Sequence, residues 1–106
     1  MISLDEFRAA ALKIATVLEA KPHPDADRLL VLTIDVGGTQ KQIVAGIARH
    51  YTPAELVSKQ IVVVDNLEPA TLRGVTSSGM LLAAKEGDKL SLLIPDRPVA
   101  PGSSVA

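Results

Sequence analysis

The sequence contains no cysteine and no tryptophan. Disulfides and thiolate metal sites are thereby excluded, while the redox compartment is left open. Only two aromatic rings are present, Phe7 and Tyr51, so the core must be aliphatic. The two histidines, His23 and His50, stand far apart with no carboxylate at ligand spacing, and no metal is expected. No run approaches the ~20 apolar residues of a membrane span. A positively charged, then apolar, leader is missing too, which makes a cytoplasmic protein the expectation. No nucleophile sits in a strand–turn–helix elbow, and Val36-Gly37-Gly38-Thr39 lacks the lysine and helix of a phosphate loop. Asp25 and Asp27 flank a turn, where aspartate usually serves the local backbone. The chain reads as a binding module, not an enzyme, with no cofactor.

An excess of positive charge is also missing. Eleven Lys and Arg face twelve Asp and Glu, for a net charge of -1. Nonspecific nucleic-acid binders gain most of their affinity by neutralising phosphates, and this chain is poorly equipped for that. Its basic residues are scattered, with no basic run. Any nucleic-acid role requires the fold to gather a few of them on one face. Such binding should be modest in affinity and selective for shape.

What is present fits one domain spanning residues 1–106. Ser3-Leu4-Asp5-Glu6 forms a capping box that opens a short helix over 4–10, which must dock on something to persist. Leu12, Ile14, Thr16 and Leu18 alternate with Lys13, Ala15, Val17 and Glu19, the period of a half-buried strand. His23-Pro24-Asp25-Ala26-Asp27 is turn chemistry. A second strand runs to Asp35 with Leu30, Leu32 and Ile34 inward, Gly37-Gly38 marks a hairpin, and a third strand covers 41–45. Thr52-Pro53-Ala54-Glu55 is a second capping box with proline at the first helical position. The β-branched run 60–65 reads as the most buried strand. Met80–Ala84 and Leu90–Ile94 are expected to pair, and the proline-punctuated tail from Pro95 is extended.

The stretch 66–84 carries most of the functional interest. Glycine inside a strand pattern marks a bulge or a close backbone approach. A bulge at Gly79 would bring Ser77 and Met80 to one face, with Arg73, along the edge of a surface groove. The plainer reading is a hairpin corner without a ligand. Likewise Arg28 can simply pair with Asp25 or Asp27, Met80 can be core, and Asn66 can cap the turn before Pro69. Phe7 is expected to anchor the first helix, and Tyr51 to pack at the start of the second.

The fold expected is mainly all-β: a five-stranded OB-fold Greek-key barrel with a short helix after the third strand. An N-terminal helix and an extended C-terminal segment complete it. A small β-sandwich is the competitor, disfavoured by the single mid-chain helix.

Several linked segments resemble one family, the tRNA-binding domains of OB-fold type. They are 26–32 (ADRLLVL), 43–48 (IVAGIA), 51–57 (YTPAELV), 66–69 (NLEP), 73–84 (RGVTSSGMLLAA) and 99–103 (VAPGS). Such domains occur at the C-terminus of many methionyl-tRNA synthetases, in synthetase-associated cofactors and as free-standing proteins, the form that a Met1 start fits. The resemblance implies a non-catalytic tRNA-binding module that reads shape and assists aminoacylation. It also implies Arg28, Asn66, Arg73, Ser77 and Met80 as tRNA-binding residues. Arginines would contact phosphates or stack on unpaired bases, Asn66 and Ser77 would reach base edges or the 2'-hydroxyl, and Met80 would lie against a base. Expected partners are tRNA, a second copy joined through the N-terminal helix and C-terminal segment, and a synthetase catalytic chain. The alternative is a dimeric export-type chaperone that binds unfolded peptides in the same groove. The Ser-x-Gly-Met group, not retained in those chaperone relatives, argues against it.

Overall fold

A computed structural model describes all 106 residues. Its elements in order are helix α1 (Leu4–Arg8), strands β1 (Leu12–His23), β2 (Ala26–Asp35) and β3 (Gln40–Ala45), helix α2 (Pro53–Leu56), and strands β4 (Gln60–Val64), β5 (Ala70–Leu72), β6 (Val75–Ser77), β7 (Met80–Leu81), β8 (Ala83–Glu86) and β9 (Lys89–Leu92). Strand dominates, and the one mid-chain helix falls after the third strand as the sequence predicts. Both capping boxes form, with Ser3 and Thr52 each exchanging hydrogen bonds with the glutamate three residues on.

β1, β2 and β3 make an antiparallel meander, β4 pairs with the other side of β1, and β7 pairs with β4. The two outer edges of this sheet then approach each other. The Ser78 amide donates to the Gln42 carbonyl at 2.8 Å, and the Val44 amide donates to Ser77 Oγ at 2.9 Å. The sheet therefore curls round on itself in the manner of an OB-like fold. The expected pairing of residues 80–84 with 90–94 is only partly realised. Met80 and Leu81 lie against Val64 and Val63, whereas Ala83–Glu86 faces Lys89–Leu92. Leu82 is the point of transfer: its amide donates to Val62 and its carbonyl accepts from Leu93.

The core is aliphatic. Leu30, Leu32 and Ile34 point inward as predicted, and Ala15, Val17, Ile43, Leu56, Ile61 and Val63 pack with them. Every residue from Ile61 to Val64 is buried, because β4 is covered on both faces. The apolar side of β1 differs from the simple alternation. Ala15 and Val17 face the core, the register on β2 slips between Val17 and Glu19, and Leu18 is left outside. That slip is a β-bulge, which exchanges the two faces of a strand midway. Ile14, on the outer face, is buried beside the tail, whose Gly102 amide donates to the Ile14 carbonyl while the Ile14 amide donates to Ser103.

The docking expected of α1 is not found within the chain. None of its residues is buried, and Leu4 and Phe7 are 60% and 40% exposed. Phe7 is thus no internal anchor. Tyr51 packs against the core, and its hydroxyl accepts from the Leu92 amide at 3.0 Å.

At one end of the sheet, Asp65 gathers two lysines. Lys41 Nζ lies 2.7 Å from Oδ1 and Lys13 Nζ 3.2 Å from Oδ2, with the Asp65 side chain 15% exposed. Lys41 Nζ also donates to the Asp65 carbonyl at 2.9 Å. The Lys41–Oδ1 contact is the shorter of the two ion pairs. Lys41, and to a lesser degree Lys13, hold the Asp65 carboxyl below its ordinary pKa, outweighing the opposing effect of burial.

Candidate nucleic-acid interface

The β1–β2 turn and the β5–β6 hairpin meet at the opposite end of β2 from Asp35. His23 makes the junction. It is buried at the very end of β1, with its Nδ1 accepting from the Asp25 amide at 2.9 Å and its Nε2 bonded to the Leu72 carbonyl at 2.9 Å. A carbonyl only accepts and an amide N–H only donates, so the ring must be the neutral tautomer protonated on Nε2. The hairpin returns a second bond across the same gap, from Arg73 Nη2 to the Asp25 carbonyl at 3.0 Å. Arg73 has φ 51°, a left-handed conformation that the tight Arg73-Gly74 tip imposes on it.

The outcome is a cleft of about 590 Å³ lined by Asp25, Ala26, Asp27, Arg28, Leu29, Arg49 and Arg73. Arg28 and Arg73 were expected together, and both line it. Arg28 forms no ion pair with Asp25 or Asp27, so its charge stays available. Arg49 is the residue that sequence reasoning missed. It follows the 43–48 segment directly, and the Ala48 amide donates to the Arg28 carbonyl at 3.2 Å, which carries Arg49 to the start of β2.

Ser77 and Met80 do not come to one face. Ser77 is 4% exposed, and its hydroxyl accepts from Val44 and donates to the Gly79 carbonyl at 3.0 Å. Met80 is 48% exposed and lies on the β4 ladder, so it is not core either. The interruption expected at Gly79 is real, with φ 148°. A Cβ there would sit 3.0 Å from the Val64 carbonyl and 3.4 Å from Ile43, so the backbone comes close because only hydrogen intervenes. It separates β6 from β7 and leaves Ser77 turned in rather than aligned with Met80.

Asn66 is an exposed residue whose amide is engaged. Oδ1 accepts from the Ala11 amide and Nδ2 donates to the Ala9 carbonyl, both at 2.8 Å. It therefore ties the start of the 66–84 segment to the link between α1 and β1, and does not merely cap its own turn.

Small OB-type barrels bind oligonucleotides and oligosaccharides on the strand 2–3 face and between the loops after strands 1 and 4. Here those loops are the His23 turn and the β5–β6 hairpin, and three arginines converge between them. The fold is OB-like, a curled five-stranded sheet with a basic cleft between these two loops. The chain belongs to the tRNA-binding domain family, whose model, described as "Putative tRNA binding domain", matches residues 12–104. That family is one of binding domains rather than catalysts. The chain is 55% identical over 105 residues to a methionine–tRNA ligase of Thermotoga maritima, covering 99% of this chain. It spans 17% of that ligase's length. Among solved structures, the MetRS related protein from Pyrococcus horikoshii matches with a TM-score of 0.94 at 34% identity, over 100% of this chain and 98% of the other. The chaperone CsaA from Bacillus anthracis matches with a TM-score of 0.90 at 30% identity, over 100% and 99%. No helix is long and apolar enough to cross a membrane.

Proposed function

We propose that this chain binds tRNA by its shape and assists aminoacylation without catalysing it. It does so either free-standing or as the C-terminal appendage of a methionyl-tRNA synthetase, in the cytoplasm. The observation that carries this is the convergence of Arg28, Arg49 and Arg73 on one cleft between the two loops that OB-type barrels use for ligands. A guanidinium plane can pair with phosphate or stack on an unpaired base, and RNA readers favour splayed bases in bent regions. Met80, exposed on the β4 ladder, offers a soft apolar surface to a base. Asn66 and Ser77 serve the same site by fixing the segment that bears Arg73, since their polar atoms are already bonded within the chain.

The molecule acts as a symmetric dimer in this reading. Leu4, Phe7, Leu12 and Val105 line an apolar groove of about 290 Å³ between the two chain ends. A helix this exposed and this short needs a partner surface, and a second copy supplies one isologously. Two clefts would then face one tRNA, or two synthetase halves would be joined. Linking a second binding site to a catalytic chain raises the local tRNA concentration.

The likeness to a chaperone favours one second reading, an unfolded peptide in the arginine cleft in place of tRNA. Filter binding with total tRNA across a salt series separates the two. The expected result is saturable, salt-sensitive binding that Arg73→Ala reduces about tenfold or more. A protein indifferent to tRNA that suppresses aggregation of an unfolded client would replace the first reading with the second.

A further inference from the structure

The arginine cleft does not end at Arg49. The same side chain lines a second cleft of about 310 Å³ with His50, Lys85, Gly87, Asp88, Lys89 and Leu90. The first cleft lies between two loops; the second lies against the tip of the β8–β9 hairpin. Because Arg49 lines both, the two clefts adjoin at its side chain and together make a basic trough.

We infer that the tip of the β8–β9 hairpin, with Arg49, Lys85 and Lys89, holds a second stretch of the phosphodiester backbone of the RNA that enters the arginine cleft. This rests on the reading of that cleft as an RNA site. Charge is the first support. Five of the eleven basic residues line the trough against Asp25, Asp27 and Asp88, in a molecule of net charge -1. Their freedom is the second. Arg28, Arg49 and Lys85 have no carboxylate within 4.0 Å. Arg73 has none either, though one of its nitrogens donates to the Asp25 carbonyl. Lys89 has only Glu86 at 3.8 Å, with both side chains more than four-fifths exposed. Such an exposed pair holds its lysine weakly. Lys13 and Lys41, in contrast, are occupied by Asp65.

The third support is the lack of aromatic platforms. OB-type binders commonly gain affinity by stacking bases on rings. Neither Phe7 nor Tyr51 lines the trough. Affinity must then come largely from phosphate contacts, and three arginines alone provide few of them. Extending the contact onto the hairpin supplies two more cations, with His50 beside them as a further hydrogen-bonding group.

The test is tRNA binding by filter retention between low and high salt, using the full chain. A Lys85→Gln/Lys89→Gln variant should bind about tenfold more weakly at 0.1 M salt. Its log K against log [salt] slope should be shallower by about 1.5, since each lost phosphate contact removes ~0.7–0.9. A Lys59→Gln/Arg97→Gln variant makes the same charge change outside the trough and should match wild type. Lys85, Lys89 and Arg97 are exposed, so the hairpin variant should keep the wild-type melting temperature. Lys59 is half-buried with its Nζ 5.4 Å from the centre of the Tyr51 ring, so the control should melt slightly lower without losing tRNA binding. Wild-type affinity and slope in the hairpin variant, with binding still lost in Arg73→Ala, would overturn the extension and leave the cleft standing. An equal loss in both double variants would also overturn it, as a bulk-charge effect. No saturable binding by wild type would remove the cleft reading and the extension together.

Discussion

Ser77 shows how a residue can be conspicuous in the sequence for one reason and placed in the fold for another. A hydroxyl in the middle of a strand pattern looks like a ligand contact, and the family resemblance points the same way. In the structure that hydroxyl serves the Val44 amide at the seam of the curled sheet. Alternation alone could not reveal this, because the bond joins residues 33 apart in sequence. Ser77→Ala should leave a buried N–H without a partner and lower stability by about 1–3 kcal/mol, read by urea unfolding. Full stability with tRNA binding abolished would instead make Ser77 a direct contact. Asp65 is a second case where position decides meaning. Its pKa is depressed by Lys41 and Lys13, so its contribution to stability is present above the unfolded carboxylate value of about 3.9 and is lost as pH falls through the folded value. Asp65→Asn should therefore be less stable than wild type at pH 7, and the gap should narrow as pH falls below the unfolded carboxylate value and through the lower folded one. A gap independent of pH would mean that packing, not the ion pairs, explains the loss.

Among elements, the β5–β6 hairpin bears most on function and rests on few internal supports. It is a ribbon of two three-residue strands whose β5 residues are all exposed. Two-stranded ribbons are marginal in water. His23 and Arg73 fasten it to the β1–β2 turn, while Gln42 Nε2 donates to the Thr76 carbonyl at 2.9 Å. Replacing His23 with alanine removes both ring contacts. Hydrogen exchange should quicken in residues 70–77 well before it does in β1, β2 and β4, and tRNA binding should weaken several-fold. Uniform quickening over the whole sheet would show that His23 supports the fold at large. The strands themselves were readable in sequence wherever period two or a β-branched run was strong, as in β2 and β4. The bulge in β1 was not, because a one-residue slip leaves no mark on composition. His23 read only as turn chemistry, since nothing local reveals that Leu72 will arrive to accept from it. Arg28 and Arg73 were legible through the family motifs, whereas Arg49 was brought in only by the Ala48–Arg28 bond.

At the scale of the whole molecule, charge and apolar surface are sorted to different places. The basic trough runs past Arg49, whereas the apolar groove lies between the chain ends at Leu4, Phe7, Leu12 and Val105. A dimer formed through the ends would leave the trough open. A Leu4→Asp/Phe7→Asp variant should elute as a monomer in dilute size-exclusion runs where wild type elutes as a dimer, and should bind tRNA with reduced apparent affinity. A wild-type monomer under those conditions would dismiss the dimer. The tail that flanks this groove is itself held by a contact with no side chains in it. A Cβ on Gly102 would meet the Val36 carbonyl at 2.8 Å, and one on Gly37 would meet the Pro101 carbonyl at 3.0 Å. Two bare stretches of main chain thus nest like interlocked fingers at the β2–β3 corner. A single methyl group at either glycine would wedge them apart, loosening the strap over Ile14 and, with it, the rim against which a second copy would close.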